Sequence, residues 1–175
     1  MSNSLQHLDR NDAKHWEDVE EATEVLLEGR YEEGLSLLRD TIKKDPSNPY
    51  AYHYAATALY ELGQLEPARD AYRAAFRISP DYDGARIGLS NVLRLLGDCD
   101  GAIREAQVVL RKSPKDVDAL HAAALAYAAK GKRQLSKEHL QRVLDSDPEA
   151  EARIEVQQIL ETLGLGEEGD PVQFE

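Results

Sequence analysis

The chain holds a single cysteine, Cys99. One thiol excludes an internal disulfide and any zinc centre built from cysteines. Cationic side chains are scarce beside anionic ones: 21 Lys and Arg face 33 Asp and Glu, a formal net charge of −12. A phosphate backbone is held by clustered Lys and Arg, so the balance argues against nucleic acid as a partner, and equally against an anionic membrane surface. No stretch approaches the roughly 20 apolar residues that cross a bilayer, which argues against membrane insertion. Residues 1–14 are polar and lack the apolar core of a signal peptide. The expectation is a soluble, cytoplasmic protein.

Catalytic and cofactor patterns are missing as well. His7, His15, His53, His121 and His139 stand in no two-ligand metal spacing such as HExxH. There is no GxSxG, P-loop or calcium-loop pattern. The run Gly164-Leu165-Gly166-Glu167-Glu168-Gly169 has the letters of a dinucleotide fingerprint, but that fingerprint needs a strand before it and a helix after it. A helical pattern precedes it here, Asp170-Pro171 follows, and two adjacent glutamates would repel a pyrophosphate. Cys99 reads as a small buried hydrophobe rather than a nucleophile. No catalytic residue, metal or cofactor is expected, and the chain reads as a non-enzyme.

What the chain has instead is a period. Gly29, Gly63, Gly97 and Gly131 are each 34 residues apart, and so are Pro46, Pro80, Pro114 and Pro148. A period of this length marks a stack of small repeated units. Within each unit two apolar-periodic helical stretches flank the glycine, which takes the left-handed conformation after a helix without the cost of a Cβ. The pairs are His15–Glu28 with Tyr31–Lys44, Tyr50–Leu62 with Leu65–Ile78, Gly84–Leu96 with Cys99–Lys112, and Val117–Lys130 with Arg133–Ser146. Each turn is short enough to force antiparallel neighbours. Small residues recur seven before the glycine (Ala22, Ala56, Ser90, Ala124) and five after it (Gly34, Ala68, Ala102, Ser136), which lets paired helices approach closely. Leu38, Tyr72, Ala106 and Leu140 fill the seam.

The units divide as 15–48, 49–82, 83–116 and 117–150, after a flexible lead-in over 1–14. A further helix over 149–163, with Ile154, Ile159, Leu160 and Leu163 as its apolar face, reads as a cap on the last hairpin. Residues 164–175 read as a disordered acidic tail whose Phe174 is most simply incidental. Residues 15–48 carry 10 acidic and 4 basic side chains, and residues 151–175 carry 7 and 1, so both ends stand at −6. Acidic ends serve solubility, or steer a basic partner.

The second unit reads Tyr52, Ala55-Ala56, Leu59, Gly63, Ala68, Tyr72, Ala75, Pro80. That order of large, small, glycine, small, aromatic and proline resembles the tetratricopeptide repeat, and the likeness extends over residues 15–148. The first unit departs from it, with Asp18 and Glu21 where the family prefers large apolar groups. The resemblance implies an all-α, right-handed superhelical solenoid of four helix-turn-helix hairpins plus the C-terminal cap. It implies that the first helix of each hairpin lines a concave face that binds extended or helical segments of other proteins. By register, the inner positions are Trp16, Val19, Glu20, Thr23 and Leu26; then Tyr50, His53, Tyr54, Thr57 and Tyr60; then Gly84, Ile87, Gly88, Asn91 and Arg94; then Asp118, His121, Ala122, Leu125 and Ala128.

The tyrosine stripe of the second unit shares one helical face, and buried tyrosines are frequent anchors at interfaces. Gly84 and Gly88 are expected to leave open space opposite it, with Asn91 and Arg94 holding a partner's backbone or carboxylate. The candidate groove is Tyr50, His53, Tyr54, Thr57, Tyr60, Ile87, Asn91, Arg94, His121 and Leu125. Two other readings stand beside a binding face: packing of the tyrosines between hairpins, and occupation of the groove by the lead-in. Co-chaperones of the family clamp acidic C-termini with Lys, Asn and Arg. The matching places here are Val19, Thr23, Tyr54, Gly84 and Gly88, or one hairpin along His53, Thr57, Gly88, Asp118 and Ala122, and neither set clamps two carboxylates.

The function expected is a non-catalytic adaptor that binds a segment of another protein. The alternatives are a cytosolic chaperone for hydrophobic clients, similar in size and charge to those of type III secretion, and a self-assembling structural subunit, in which case the chain is a homo-oligomer.

Overall fold

Residues 12–164 and Val172 are described by the structure, a computed structural model. All regular structure among them is helical: α1 (Glu20–Leu27), α2 (Tyr31–Lys44), α3 (Pro49–Glu61), α4 (Leu65–Ile78), α5 (Asp83–Leu95), α6 (Cys99–Lys112), α7 (Val117–Ala129), α8 (Arg133–Leu144) and α9 (Ala150–Gly164). A short helical segment over 12–17 precedes α1. The chain forms two compact units, Met1–Gly88 and Leu89–Glu175, and the division falls within α5.

Each hairpin turn is built the same way. Gly29, Gly63, Gly97 and Gly131 have φ of 77, 70, 84 and 75°. At the second turn the Gly63 amide donates to the Tyr60 carbonyl at 2.9 Å and Gln64 to Leu59 at 2.8 Å. This paired pattern satisfies carbonyls left open at a helix end and requires a left-handed residue after the cap. It recurs as Arg30 to Val25, Asp98 to Leu93 and Lys132 to Tyr127. Side-chain caps start three of the helices: Asn48 accepts from Ala51, Asp98 from Gly101 and Asp116 from Ala119.

In the first unit α1 pairs with α2 and α3 with α4. Ala22, Ala56 and Ala68 are buried in the seams, and Leu38 fills the seam with no exposed surface. A Cβ on Gly34 would stand 2.5 Å from Leu26 Cδ2, so a larger residue there would displace the Leu26 side chain. The expected continuous helix from His15 to Glu28 is broken at residues 18–19. Tertiary bonds compete with the helical ladder there. Asn48 Nδ2 donates to the His15 carbonyl at 2.8 Å, Thr41 Oγ1 donates to the Asp18 carbonyl at 3.2 Å, and His15 Nε2 lies 3.1 Å from Asp45 Oδ2.

In the second unit Ser90, Ala102, Ala124 and Ser136 are buried, and Ser90 Oγ donates to the Ala102 carbonyl at 2.9 Å. Helix α9 closes the end of the α7–α8 hairpin through one apolar cluster that includes Leu120, Leu125, Leu140, Val156, Ile159 and Leu163. Ile159 and Leu163 face inward as expected, and Val156 completes the buried stripe in place of Ile154. Ile154 is 55% exposed and Leu160 only partly buried. The spacing of three and four from Val156 sets one stripe, and Ile154 falls nearly opposite it. Arg133 Nη1 donates to the Leu163 carbonyl at 3.1 Å, a cation on the negative end of α9. Of the segment expected to be a disordered tail, Gly164 ends α9. Val172 is buried in the same cluster, its amide donating to the Ala128 carbonyl at 3.0 Å. Phe174 and the glycine run beyond Gly164 lie outside the described residues, as do residues 1–11 of the lead-in.

Candidate functional site

The inner face of the first unit is aromatic. Tyr50, His53, Tyr54, Thr57 and Tyr60 rise from α3 at spacings of three and four, and Trp16 stands beside them on the segment before α1. Trp16 meets Tyr50 and Tyr54 edge to face, with ring centroids 5.7 and 6.0 Å apart. Tyr82 packs on Tyr50 at 5.3 Å and on His53 at 4.9 Å, and Tyr72 lies 5.5 Å from His53. Such edge contacts between rings are favourable beyond the area they bury.

This packing divides the stripe. Tyr50 is committed within the unit: its hydroxyl donates to Asp12 Oδ1 at 2.8 Å, and burial with this carboxylate raises its pKa to about 12. His53 is enclosed by Tyr54, Tyr72 and Tyr82, and burial depresses its pKa to about 4. The imidazole is therefore neutral near pH 7, and it is not an open contact residue as expected. The space expected opposite Gly84 and Gly88 is filled. A Cβ at Gly88 would stand 2.3 Å from the Tyr72 ring, and one at Gly84 3.2 Å from Tyr82 and 3.7 Å from His53. These glycines admit the chain's own rings, not a ligand. Burial raises the pKa of Tyr72 to about 12, and its hydroxyl lies 3.0 Å from Thr57 Oγ1.

What stays open is a cleft of about 390 Å³ lined by Trp16, Thr23, Leu26, Leu27, Tyr31, Tyr54, Thr57 and Glu61. Its walls come from α1 (Thr23, Leu26, Leu27), the middle and end of α3 (Tyr54, Thr57, Glu61), Trp16 before α1 and the first residue of α2. Leu27 is 89% exposed and Trp16 44% exposed, both large apolar groups facing water at the mouth. Tyr54 and Thr57 are the two expected groove residues that line it; Tyr60 and Ile87 are half-buried elsewhere on the unit. Leu27, Tyr31 and Glu61 were not foreseen. Leu27 follows Thr23 by one helical turn, which was a legible signal. Tyr31 reaches the cleft across the Gly29 turn, a placement that the register of the first helices does not contain.

The expected groove residues of the second unit divide differently. Asn91 and Arg94 are half-buried on α5. His121 is packed under α9, with Nε2 3.7 Å from Glu155 Oε1; burial lowers its pKa, opposed by the Glu155 charge. Leu125 is a correction: it is buried in the cluster closed by Val156, Ile159 and Leu163, so the cap covers it. Cys99 is half-buried at the start of α6. Among the described residues no three His, Cys, Asp or Glu side chains are grouped to hold a metal ion, and no helix is long and apolar enough to cross a membrane.

Comparisons with known proteins agree with this architecture. Tetratricopeptide repeat profiles match residues 19–83 and 55–117, and a second matches 118–150. A tetratricopeptide repeat and J domain-containing co-chaperone of Cryptococcus neoformans is 28% identical over 144 residues, which is 76% of this chain and 28% of that protein. The chain thus spans about a quarter of that relative's length. A thermophilic TPR protein of Thermus thermophilus superposes with a TM-score of 0.73 at 22% identity, over 86% of this chain and 81% of the other. The second TPR domain of human RPAP3, solved in complex with the HSP70 peptide SGPTIEEVD, superposes at 0.61 with 18% identity, over 66% and 97%. The repeat glycines, the buried small residues of the seams and these matches together make the chain a member of the tetratricopeptide repeat family.

Proposed function

We propose that this protein is a non-catalytic adaptor that holds a segment of a partner protein in the cleft of the first unit. The observation that carries the reading is the contrast within one aromatic face. Tyr50, His53, Tyr72 and Tyr82 are locked against one another, whereas Trp16, Leu27 and Tyr54 border an open apolar cleft. Large apolar groups exposed together mark an interaction site. The human RPAP3 domain, which holds a peptide ending in Glu-Glu-Val-Asp, supports segment binding as the role of the fold. An acidic terminus of that kind is not the ligand here, because no Lys or Arg lines the cleft.

The test is capture of partners by the full chain and by a folded Leu27→Ala, Tyr54→Ala variant. Affinity for the captured partner is expected to fall by about tenfold or more, as loss of two central anchors implies. A partner held equally by both proteins would move the site away from the cleft.

A further inference from the structure

The cleft's chemistry is one-sided in charge. Glu61 is its single charged lining residue, and Glu20 shares a helical face with Thr23 and Leu27. Leu26, Leu27 and Glu61 bring one side of the cleft to the carboxyl ends of α1 and α3, where backbone carbonyls carry partial negative charge. The last turns of α1 and α3 contain no basic residue, whereas α2 ends in Lys43 and Lys44 and α4 in Arg77. The nearest arginine along the chain, Arg30, is taken, with Nε donating to Glu33 Oε2 at 2.9 Å and Nη1 to Glu28 Oε2 at 2.7 Å. Lys43 is paired with Asp40 at 2.7 Å. The walls are Trp16, Tyr31 and Tyr54, whose ring faces attract cations and accept their aliphatic stems.

We infer that the cleft takes a segment of another protein that carries an arginine or lysine beside a large apolar side chain. The inference rests on the adaptor reading above and adds the sign of the partner's charge. The apolar group fills the space bordered by Leu26, Leu27 and Tyr54. The cation supplies what the two helix ends and Glu61 lack, and an anion there would meet the Glu61 carboxylate with no cation in the lining to offset it.

Two synthetic peptides of about a dozen residues, blocked at both ends, test this on the full chain. In one, Leu and Trp alternate with Arg; in the other, Glu replaces each Arg. Fluorescence anisotropy is expected to give about tenfold or tighter binding for the Arg peptide, weakening as salt rises. Tyr54→Ala is expected to weaken that binding about tenfold. Glu20→Lys with Glu61→Lys, both exposed and checked for helix content, is expected to abolish the preference. If the Glu peptide binds as well as the Arg peptide and is still lost with Tyr54→Ala, the cleft binds peptides but the charge inference is overturned. If the Arg peptide binds wild type and Tyr54→Ala alike, the attraction is diffuse, and both the inference and the adaptor reading fail. A gain of about tenfold on removing residues 1–11 would make that segment the occupant and overturn the proposal.

Discussion

His53 shows how one residue changes meaning between sequence and structure. Its position on the tyrosine face suggested a contact for a partner; three rings from Tyr54, Tyr72 and Tyr82 enclose it instead. Its pKa falls to about 4 because burial penalises the charged form. The unfolded chain, with His53 near 6.5, therefore binds more protons than the folded one between those values. The stabilising contribution is complete above about pH 6.5 and is lost as pH falls towards 4. Between pH 7.5 and 5 this group alone lowers stability by about 2 kcal/mol. Urea unfolding of wild type and His53→Phe at the two pH values checks it: the variant should show the smaller fall. Equal falls would mean that carboxylates carry the whole effect.

At the scale of the element, helix starts differ in what they hold. Asp98 caps α6 through one bond to Gly101, a local interaction worth about 1 kcal/mol. Asn48 caps α3 through Ala51 and also donates to the His15 carbonyl, and it is fully buried. Asn48→Ala removes the cap and leaves that carbonyl without its partner, so it should cost about 2–3 kcal/mol, against about 1 for Asp98→Ala. Thermal unfolding of the two variants decides it, and equal losses would show that the His15 anchor contributes nothing. The capping role of Asn48 could be read from its place before Pro49, since Pro is preferred at the first helical position. Its hold on residue 15 could not, because the two are 33 residues apart.

Across the whole molecule, each of the two units has its own buried core. Stability in repeat folds is close to a sum of local terms. Leu163 has no exposed surface and lies in the cluster that joins α9 to α7 and α8. Leu163→Ala is expected to cost about 3 kcal/mol. Hydrogen exchange should then show the loss of protection confined to residues 117–164, with α1 to α4 unchanged. Equal loss in both units would mean that the chain unfolds as one cooperative body. Charge also belongs to this scale: residues 15–48, which supply most of the cleft's lining, carry a formal −6, the same sign as Glu61 in the cleft itself.

The sequence by itself determined the hairpins. A left-handed glycine and a small residue in a seam are constraints that act within a few residues or repeat with the period, so Gly63 and Ala68 were legible at once. The tertiary structure alone decided which part of the aromatic face remains open. That outcome depends on side chains distant in the chain competing for one surface. Tyr72 and Tyr82 occupy the space that Gly88 and Gly84 leave, α9 covers Leu125, and Tyr31 turns into the cleft beside Tyr54. Helical register specifies the face on which a residue stands. It does not specify what a neighbouring element places over it, because that is set by packing volume rather than by period.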